Sequence, residues 1–342
     1  MKNKIKCAVL GSTGMVGQVF LQMLAEHPWF ELAKVISSDK REGLNYGESA
    51  SWLLPQPLPE AIAALNFAKY DIAELKQAGV QIVFSALPAD IAKGVEAELR
   101  EAGFWVFSNA SAYRYENNVP ILIPEVNLSS LKEIEKQGFP EKGFIITNSN
   151  CTTAGLAVAL APLRPFGISK LFLSTYQAIS GAGYPGLSAL DIMGNAIPHI
   201  NGEEGKVIRE CQKILEIEAE IYPTCVRIPV KFGHLETVWV EFEKAIDEQD
   251  ILHAWAHFQL GNPALPTAPQ IPVLYHDAVD FPQPKLAWHG EPAGMQVFTG
   301  RLRRQNNMFG FVLLANNIVR GAAGGSIINA EAFIRQYQRH LL

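Results

Sequence analysis

The sequence predicts an α/β protein with two domains, a parallel-sheet domain followed by an α/β domain with a mixed sheet. Over the first half of the chain, short apolar runs alternate with helix-like segments, which is typical of a parallel sheet covered on both faces. After about Asn148 the segments become longer, and several alternate apolar with polar residues. A length of 342 residues is enough for two ordinary domains, each with its own core.

The first domain is predicted over residues 1–149 and the second over residues 150–316. Short apolar runs predict the strands of the first domain, at 5–10, 32–36, 80–85, 104–107 and 121–123, with a helix at 91–100. The second domain is predicted to have strands at 171–178, 225–230 and 237–243 and a helix from 203 to about 218. We expect the last segment, about 317–342, to contain an amphipathic helix that packs back on the first domain.

Composition and charge exclude several classes of protein. Apolar residues make up 48% of the chain and charged residues 18%, which is typical of a folded globular protein. The net charge of 29 − 34 = −5 disfavours general binding to nucleic acid. No apolar run reaches the roughly 18 residues of a membrane span, and the N-terminal one is too short for a secretion signal. The four cysteines have no paired spacing, so we expect no disulfide scaffold, no metal site and a cytoplasmic location.

A glycine-rich loop follows the first predicted strand and precedes a helical pattern. Its spacing, Gly-x-x-Gly-x-x-Gly, lets the backbone approach a phosphate, and the helix N-terminus attracts the anion. The alternative is a tight turn that binds no ligand, and the missing Gly-Lys-Ser/Thr excludes a P-loop. The loop predicts a Rossmann-type nucleotide domain, with cofactor contacts from Gly11, Ser12, Thr13, Gly14, Met15, Val16 and Gly17.

The end of the second predicted strand indicates which dinucleotide is bound. An NAD enzyme places an acidic residue there, about twenty residues after the glycine loop, to bind the ribose hydroxyls. This chain has Ser37 and Ser38 instead, followed by Lys40 and Arg41, and that combination suits the 2′-phosphate of NADP. Asp39 would reverse the preference if its carboxylate faced the ribose.

Cys151 is the candidate nucleophile. It follows Asn148-Ser149-Asn150, and Asn and Ser are strong N-cap residues, so the thiol is predicted in the first turn of a helix. There the helix dipole and free amides would lower the pKa of the thiol and favour the attacking thiolate. The alternative is an ordinary buried cysteine, which is our interpretation of the other three.

Two residues near 230 could support a thiolate. Arg227 could bind a carboxylate through its guanidinium, and His234 could act as general base and acid. Taken alone, Arg227 could equally form a surface ion pair, and His234 could be a packed loop histidine. His253 and His257 have i, i+4 spacing without an acidic residue between them, and we interpret them as one face of an ordinary helix.

Taken together, the motifs resemble the aspartate-β-semialdehyde dehydrogenase family over nearly the full length, and most closely its archaeal and fungal-like branch. The most specific matches are Cys-Thr-Thr at 151–153 and Arg-x-Pro-Val-x-x-Gly-His at 227–234. Further matches lie at 11–17, 108–114, 124–127, 149–150, 175–186, 202–206 and 317–325.

The resemblance implies an NADP-dependent oxidoreductase that reversibly reduces β-aspartyl phosphate to aspartate semialdehyde and phosphate through a cysteine thioester. This reaction serves the biosynthesis of lysine (through diaminopimelate), threonine, methionine and isoleucine. By position, Cys151 would attack the acyl group, His234 would move the protons and Gln177 would position the intermediate. Family members are homodimers or homotetramers that pair through the second domain.

The resemblance also implies a binding site for each part of the substrate. Arg227 would bind the α-carboxylate and Glu204 the amino group, with Glu203 as the alternative because Gly205 departs from the family pattern. The phosphate would be bound by Arg114, Asn109 and Lys206. The nicotinamide end of NADP would contact Ser180, Gly181, Ala182, Gly183 and Asn317.

Two other functions remain open at this point. One is a related cysteine acyl reductase, such as a malonyl-CoA reductase or an N-acyl-glutamyl-phosphate reductase, which would keep Cys151 and His234. The other is a regulator that binds NADP without catalysis, which would have no need of a thiol at a capped helix start.

Overall fold

The computed structural model describes residues 4–260, 265–338 and 340 and contains two six-stranded sheets. Its strands are β1 (Ile5–Leu10), β2 (Phe30–Ile36), β3 (Phe67–Ala68), β4 (Ile82–Ser85), β5 (Trp105–Ser108), β6 (Phe144–Thr147), β7 (Ile168–Gln177), β8 (Glu220–Arg227), β9 (His234–Phe242), β10 (Val273–His276), β11 (Val297–Gln305) and β12 (Met308–Ala315). Its α-helices are α1 (Met15–Leu24), α2 (Tyr46–Ser49), α3 (Glu60–Ala63), α4 (Ile72–Gln77), α5 (Ala89–Glu101), α6 (Pro124–Asn127), α7 (Cys151–Leu160), α8 (Ala189–Ile192), α9 (Glu203–Leu215), α10 (Glu248–Ala256) and α11 (Gly324–Tyr337). In this described part, no helix is both long and apolar enough to cross a bilayer.

The first sheet has the order β3-β2-β1-β4-β5-β6, and all of its strands are parallel. The predicted parallel sheet is therefore confirmed, but its sixth strand is not the predicted run at 121–123. That run makes one isolated bridge, from Ile121 to Thr147, and Ile121 and Ile123 pack into the core of the second sheet. Pro120 and Pro124 flank the run and have no peptide N–H to donate to a ladder.

The second sheet has the order β10-β11-β12-β9-β7-β8 and is mixed, as predicted. The pairs β7–β8 and β10–β11 are parallel, and the others are antiparallel. One face packs on a core with α7, α9 and α10. On the opposite face the rings of Phe172 and Tyr222 stack with centroids 4.8 Å apart, and both side chains are exposed.

The last helix, α11, packs against the first sheet. Phe333 packs against the rings of Phe107 and Phe144, and its centroid is 4.6 Å from that of Phe144. Glu331 forms a buried hydrogen bond with His27, which follows α1, at 2.8 Å. Residues 339, 341 and 342 of the predicted C-terminal segment lie outside the described residues.

Candidate active site

The carboxyl ends of β1, β4 and β5 face the second sheet across a cavity of about 870 Å³. In open parallel sheets, ligands bind at this end of the strands. The cavity joins the glycine loop after β1 to the first residue of α7. The sequence-predicted residues on its wall are Gly11, Thr13, Gly14, Met15, Val16, Gly17, Asn109, Arg114, Cys151, Gln177, Ser180, Gly181, Ala182, Gly183, Lys206, Arg227 and Asn317.

The glycine loop leaves the N-terminus of α1 open to an anion. Gly14 is the N-cap, no side chain caps the helix, and its first turn has no acidic residue. The first amides of a helix have no partner within the helix, so these can bind a phosphate. A Cβ at Gly17 would lie 2.2 Å from the carbonyl oxygen of Gly11, which explains why the loop needs glycine there. These features fit the pyrophosphate of a dinucleotide.

Ser12 is the one member of this loop that does not reach the cavity. It is fully buried, and its hydroxyl donates to the carbonyl of Ile36 at 2.9 Å, so the side chain of this predicted cofactor-binding residue points away from the cavity. Beside it, the hydroxyls of Thr13 and Ser37 lie 3.3 Å apart at the end of β2.

The region predicted to bind the 2′-phosphate surrounds the end of β2. Ser38 is exposed and Ser37 is half-buried, although neither lies on the cavity wall. Arg41 donates to the carbonyl of Ser49 at 2.5 Å and lies over the ring of Phe67, so its guanidinium is held close to the strand end. The side chain of Asp39, which could reverse the preference, lies outside the described residues.

Cys151 is the first residue of α7, and its thiol lines the cavity. Asn150 is the N-cap, and its side chain accepts the peptide N–H groups of Thr152 and Thr153. The Cys151 sulfur lies 3.2 Å from Nε2 of His234. The structure therefore brings the predicted nucleophile and the predicted acid–base residue into contact.

The expected lowering of the Cys151 pKa is contradicted by the burial of the thiol. Burial raises the pKa of the thiol to about 12, and the charge of Glu203 adds to the rise. The cations Arg227, Arg114 and Lys206 act in the opposite direction but do not outweigh burial. The position of Cys151 at the start of a helix follows from neighbouring residues, so the sequence can predict it. The burial of the thiol comes from tertiary packing, which the sequence pattern does not show.

His234 is fully buried and is the first residue of β9, not a loop residue. Its Nδ1 accepts a hydrogen bond from the peptide N–H of Ala178 at 3.1 Å. Burial, and then the charge of Arg227, lower the pKa of His234 to about 3, while the backbone of Gly233 acts in the opposite direction. Histidine is therefore neutral in this site at physiological pH.

The structure separates the two adjacent glutamates of α9. Glu203 is buried on the cavity wall, where its carboxylate accepts from the side chains of Asn150 and Gln177 and lies 3.4 Å from Nζ of Lys206. Glu204 does not line the cavity, and its carboxylate accepts the peptide N–H of Cys225 at 3.2 Å. Of the two candidates for the amino-group contact, Glu203 and not Glu204 therefore reaches the cavity.

Arg114 is held from three directions. Its Nη1 forms a buried ion pair with Glu210 at 3.1 Å, its Nε donates to the carbonyl of Asn148 and its Nη2 donates to the carbonyl of Asn109. The Asn109 side chain accepts from that of Asn148 at 3.3 Å. Two of the five N–H groups of Arg114 have none of these partners, and the residue lies on the cavity wall, so it can still bind an anion.

Arg227 is the last residue of β8 and enters the cavity from the second sheet. The predicted strand continues to 230, but the observed one ends at Arg227, shortly before Pro229. Nη1 of Arg227 donates to the carbonyl of Ala178 at 2.6 Å.

Asn317, which also lines the cavity, links the segment before β9 to the segment after β7. Its side chain accepts the N–H of Gly233 and donates to the hydroxyl of Ser180.

Three contributors to the site were not identified from the sequence: the side chain of Glu210, the amide of Asn150 as a partner of Glu203, and the peptide of Ala178. Glu210 lies two turns after Glu203 on α9, so helical spacing could have placed it on the same face. No pattern in the sequence shows which peptide group will contact a catalytic side chain.

The described residues contain no cluster of His, Cys, Asp and Glu able to hold a metal ion. The rings of His253 and His257 lie 4.0 Å apart at the end of α10.

Comparison with known proteins agrees with this geometry. The family model "Semialdehyde dehydrogenase, NAD binding domain" matches residues 6–134, and "Semialdehyde dehydrogenase, dimerisation domain" matches residues 160–320. An aspartate-semialdehyde dehydrogenase of Archaeoglobus fulgidus is 43% identical over 96% of this chain and 97% of its own length. A malonyl-CoA reductase (NADP) of Metallosphaera sedula is 35% identical over 98% of both.

A solved structure shows the same fold. The aspartate-semialdehyde dehydrogenase of Candida albicans, crystallised with NADP, matches 99% of this chain and 100% of its own with a TM-score of 0.85 and 32% identity. Similarity of this extent to archaeal and fungal relatives confirms the resemblance noted in the motifs. The chain belongs to the aspartate-semialdehyde dehydrogenase family.

Proposed function

We propose that the protein is an NADP-dependent aspartate-semialdehyde dehydrogenase of amino-acid biosynthesis. The observation that carries this proposal is the contact between Cys151 and His234 on a cavity that also contains the glycine loop. A nucleophilic sulfur beside a dinucleotide site is what reduction of an acyl group through a thioester requires. The archaeal and fungal relatives support the choice of substrate.

The charges on the cavity wall match the three charged groups of β-aspartyl phosphate. Arg227 binds the α-carboxylate, because its planar guanidinium can form two hydrogen bonds to it. Glu203 binds the ammonium group. Arg114, Lys206 and the amide of Asn109 bind the phosphate, since they converge on the same cavity. An unpaired charge in this site would cost several kcal/mol or more, so substrates that lack one of the groups are rejected.

The residues of the chain also fit the dinucleotide. The helix N-terminus after Gly14 binds the pyrophosphate, and Ser37, Ser38 and Arg41 surround the 2′-phosphate. The segment 180–183 and Asn317 contact the nicotinamide end. Bound NADPH supplies the hydride that reduces the thioester.

Cys151 performs the covalent step. Its sulfur forms a bond to the acyl carbon, and the bond from that carbon to the phosphate oxygen breaks, so phosphate leaves with the electron pair. Gln177 positions the thioester through its amide, which is held by Thr175 and Glu203. His234, whose Nε2 lies 3.2 Å from the sulfur, accepts the thiol proton as the C–S bond forms and moves protons in the later steps.

A second candidate function is the reduction of malonyl-CoA, because one similar relative carries that name. A malonyl group has no ammonium for Glu203 to bind. The buried carboxylate of Glu203 on the cavity wall therefore favours the aminated substrate. An NADP-binding regulator would have no use for the Cys151–His234 contact.

We further propose that residues 1–149, together with the C-terminal segment 317–342, form the NADP-binding domain, and that residues 150–316 form the catalytic and dimerisation domain. Copies of the chain pair as dimers or tetramers through this second domain, whose exposed sheet face includes Phe172 and Tyr222. We propose a cytoplasmic location, since the four cysteines are unpaired and the nucleophile must stay reduced.

A substrate panel tests the proposed reaction. NADP reduction is followed with aspartate semialdehyde and phosphate, with N-acetylglutamate semialdehyde and phosphate, and with malonate semialdehyde and CoA. We expect turnover only with the first pair, and at least tenfold better kcat/KM with NADP than with NAD. Cys151→Ala should abolish turnover. Turnover with CoA but not with phosphate would contradict the proposal.

A further inference from the structure

A π-helical turn at Val319–Ala323 lies between β12 and α11, beside the candidate nucleophile. The peptide N–H groups of Gly321 and Ala323 donate to carbonyls five residues earlier, at 2.9 and 3.2 Å. Turns of this kind are rare, and they occur frequently at functional sites. Ile318, Gly321 and Ala322 lie on the cavity wall, so one side of the turn faces the cavity.

The backbone of Gly321 packs directly against the nucleophile. A Cβ on Gly321 would lie 2.9 Å from Cα, from Cβ and from the carbonyl oxygen of Cys151, which leaves no room for a methyl group. The next residue of the turn is tied to the same region, since the carbonyl of Ala322 accepts the side-chain N–H of Asn148 at 3.0 Å. Because close-packed groups transmit displacements, a shift of the turn would also move the first residue of α7.

A buried ion pair holds the turn. Nη1 and Nη2 of Arg320 donate to the two carboxylate oxygens of Glu125 at 2.6 and 3.0 Å, and both side chains are almost fully buried. Two parallel hydrogen bonds fix the orientation of the guanidinium as well as its distance from the carboxylate, which the single ammonium of a lysine cannot do. The pair therefore fixes the position of Arg320, the residue before Gly321.

Glu125 lies on α6, a short helix that is itself firmly held. The side chain of Asn127, at the end of this helix, accepts the N–H of Ile123 at 2.9 Å and donates to the carbonyl of Ile121 at 2.8 Å. Ile121 and Ile123 pack in the core of the second sheet. The ion pair therefore connects the turn to a rigid part of that core.

We propose that Arg320 and Glu125 are positioning residues, whose ion pair holds the turn so that Gly321 fixes the Cys151 sulfur relative to the nicotinamide end of the cavity. This inference deepens the proposed function and rests on it. Neither Arg320 nor Glu125 lies on the cavity wall, so both act through Gly321 and do not contact the substrate. Such placement matters for the rate, because a displacement of about 1 Å can cost ~10²-fold.

The reactivity of Cys151 tests this placement without turnover. Arg320→Lys keeps the positive charge but loses the paired hydrogen bonds, so we expect the turn to loosen and the thiol to become less buried. Since burial raises the pKa of the Cys151 thiol, iodoacetamide should then alkylate it ~3–10-fold faster than in the wild type at pH 7.

Glu331→Gln is the matched control. Glu331 is a fully buried carboxylate of α11, the helix that follows the turn, and it accepts from His27 and from the peptide N–H of Thr267. None of these three residues lies on the cavity wall. The control should lower stability in urea, as Arg320→Lys does, but should leave the alkylation rate of Cys151 unchanged.

Steady-state kinetics test the catalytic consequence. Arg320→Lys should lower kcat ~10-fold and change KM for aspartate semialdehyde and phosphate by less than about threefold, because the groups that bind both substrates are left in place. Glu331→Gln should leave kcat and KM unchanged. If Arg320→Lys fails to fold, Glu125→Gln provides the same comparison, since it keeps the shape of the pair and removes one of its charges.

Two results would overturn the proposal. One is wild-type alkylation and wild-type kcat in the Arg320 or Glu125 variant, and the other is an equal change in the Glu331→Gln control. Either would show that the ion pair stabilises the fold without placing the sulfur. If the wild type fails to turn over aspartate semialdehyde, the proposed function fails, whereas the alkylation rates still decide whether the pair places Cys151.

Discussion

Glu210 of α9 accepts the peptide N–H of Asn150, the residue before the nucleophile, at 2.5 Å. The other oxygen of the same carboxylate forms the buried ion pair with Arg114. One acidic side chain thus links the start of α7 to a cation on the cavity wall. The nucleophile and the proposed phosphate site therefore keep a fixed separation through Glu210.

Replacing Glu210 tests this link. Removal of one partner from a buried ion pair leaves an uncompensated charge, so Glu210→Ala should lower the free energy of unfolding by ~3–5 kcal/mol. Glu210→Gln keeps the hydrogen-bonding shape and should destabilise less, but should raise KM for phosphate. Urea unfolding and steady-state kinetics measure the two effects. If both variants kept the wild-type stability and the wild-type KM for phosphate, the Glu210–Arg114 ion pair would contribute neither to folding nor to phosphate binding.

The two glutamates at the start of α9 should behave differently. Glu203→Gln removes the buried charge proposed to bind the ammonium group, so kcat/KM for aspartate semialdehyde should fall by ~10–100-fold. Glu204→Gln is the matched control, because its carboxylate accepts the peptide N–H of Cys225 and does not line the cavity, and it should change kcat/KM by less than about threefold. The reverse order would return the amino-group contact to Glu204.

How much of this site the sequence predicts depends on how local each feature is. The glycine loop and the capped start of α7 depend on neighbouring residues, so both could be identified from spacing. The choice between Glu203 and Glu204 depends on how α9 is rotated against the second sheet, which no local pattern encodes. The raised pKa of Cys151 likewise comes from burial by distant segments.

In the fold, too, the features that depend on neighbouring residues could be predicted, and those that depend on tertiary packing could not. The parallel and mixed sheets follow from the alternation of apolar runs with helices, so their class could be predicted. β6 was missed because the apolar run at 121–123 has the composition of a strand and lies closer to β5 along the chain. Only packing shows that Ile121 and Ile123 belong to the core of the second sheet while Phe144–Thr147 completes the first.

A methyl group at Gly181 should disturb the site without unfolding the protein. Its Cβ would lie 2.8 Å from Nη1 of Arg227 and 3.2 Å from Cε1 of His234, so both side chains must shift. Since small displacements of catalytic groups are costly, Gly181→Ala should reduce kcat/KM by ~10–100-fold. Gly94→Ala, on an exposed part of α5 where the new Cβ would meet no atom within 4 Å apart from the neighbouring backbone of its own helix, is the control and should leave kinetics unchanged. Equal kinetics in both variants would contradict the prediction.

The raised pKa of Cys151 predicts slow alkylation of the free enzyme at neutral pH. Only the thiolate reacts, so the iodoacetamide rate at Cys151 should lie below that of free cysteine at pH 7. It should then rise ~10-fold per pH unit, because the pKa is about 12. Cys151→Ser identifies the signal, since the other three cysteines are buried. A rate that is constant with pH near neutrality would instead indicate a thiolate–imidazolium pair.

Glu96 should make the stability of the first domain depend on pH. This fully buried carboxyl of α5 accepts from the Ser108 hydroxyl, and burial raises its pKa from 4.5 to about 7. Between these two values the folded state binds more protons than the unfolded state, so the free energy of unfolding falls as pH rises. Glu96→Gln removes this dependence and should stabilise the protein by up to ~3 kcal/mol above pH 7, with no gain near pH 4. Urea unfolding at both pH values measures the difference, and an equal effect at both would show that Glu96 keeps an unshifted pKa.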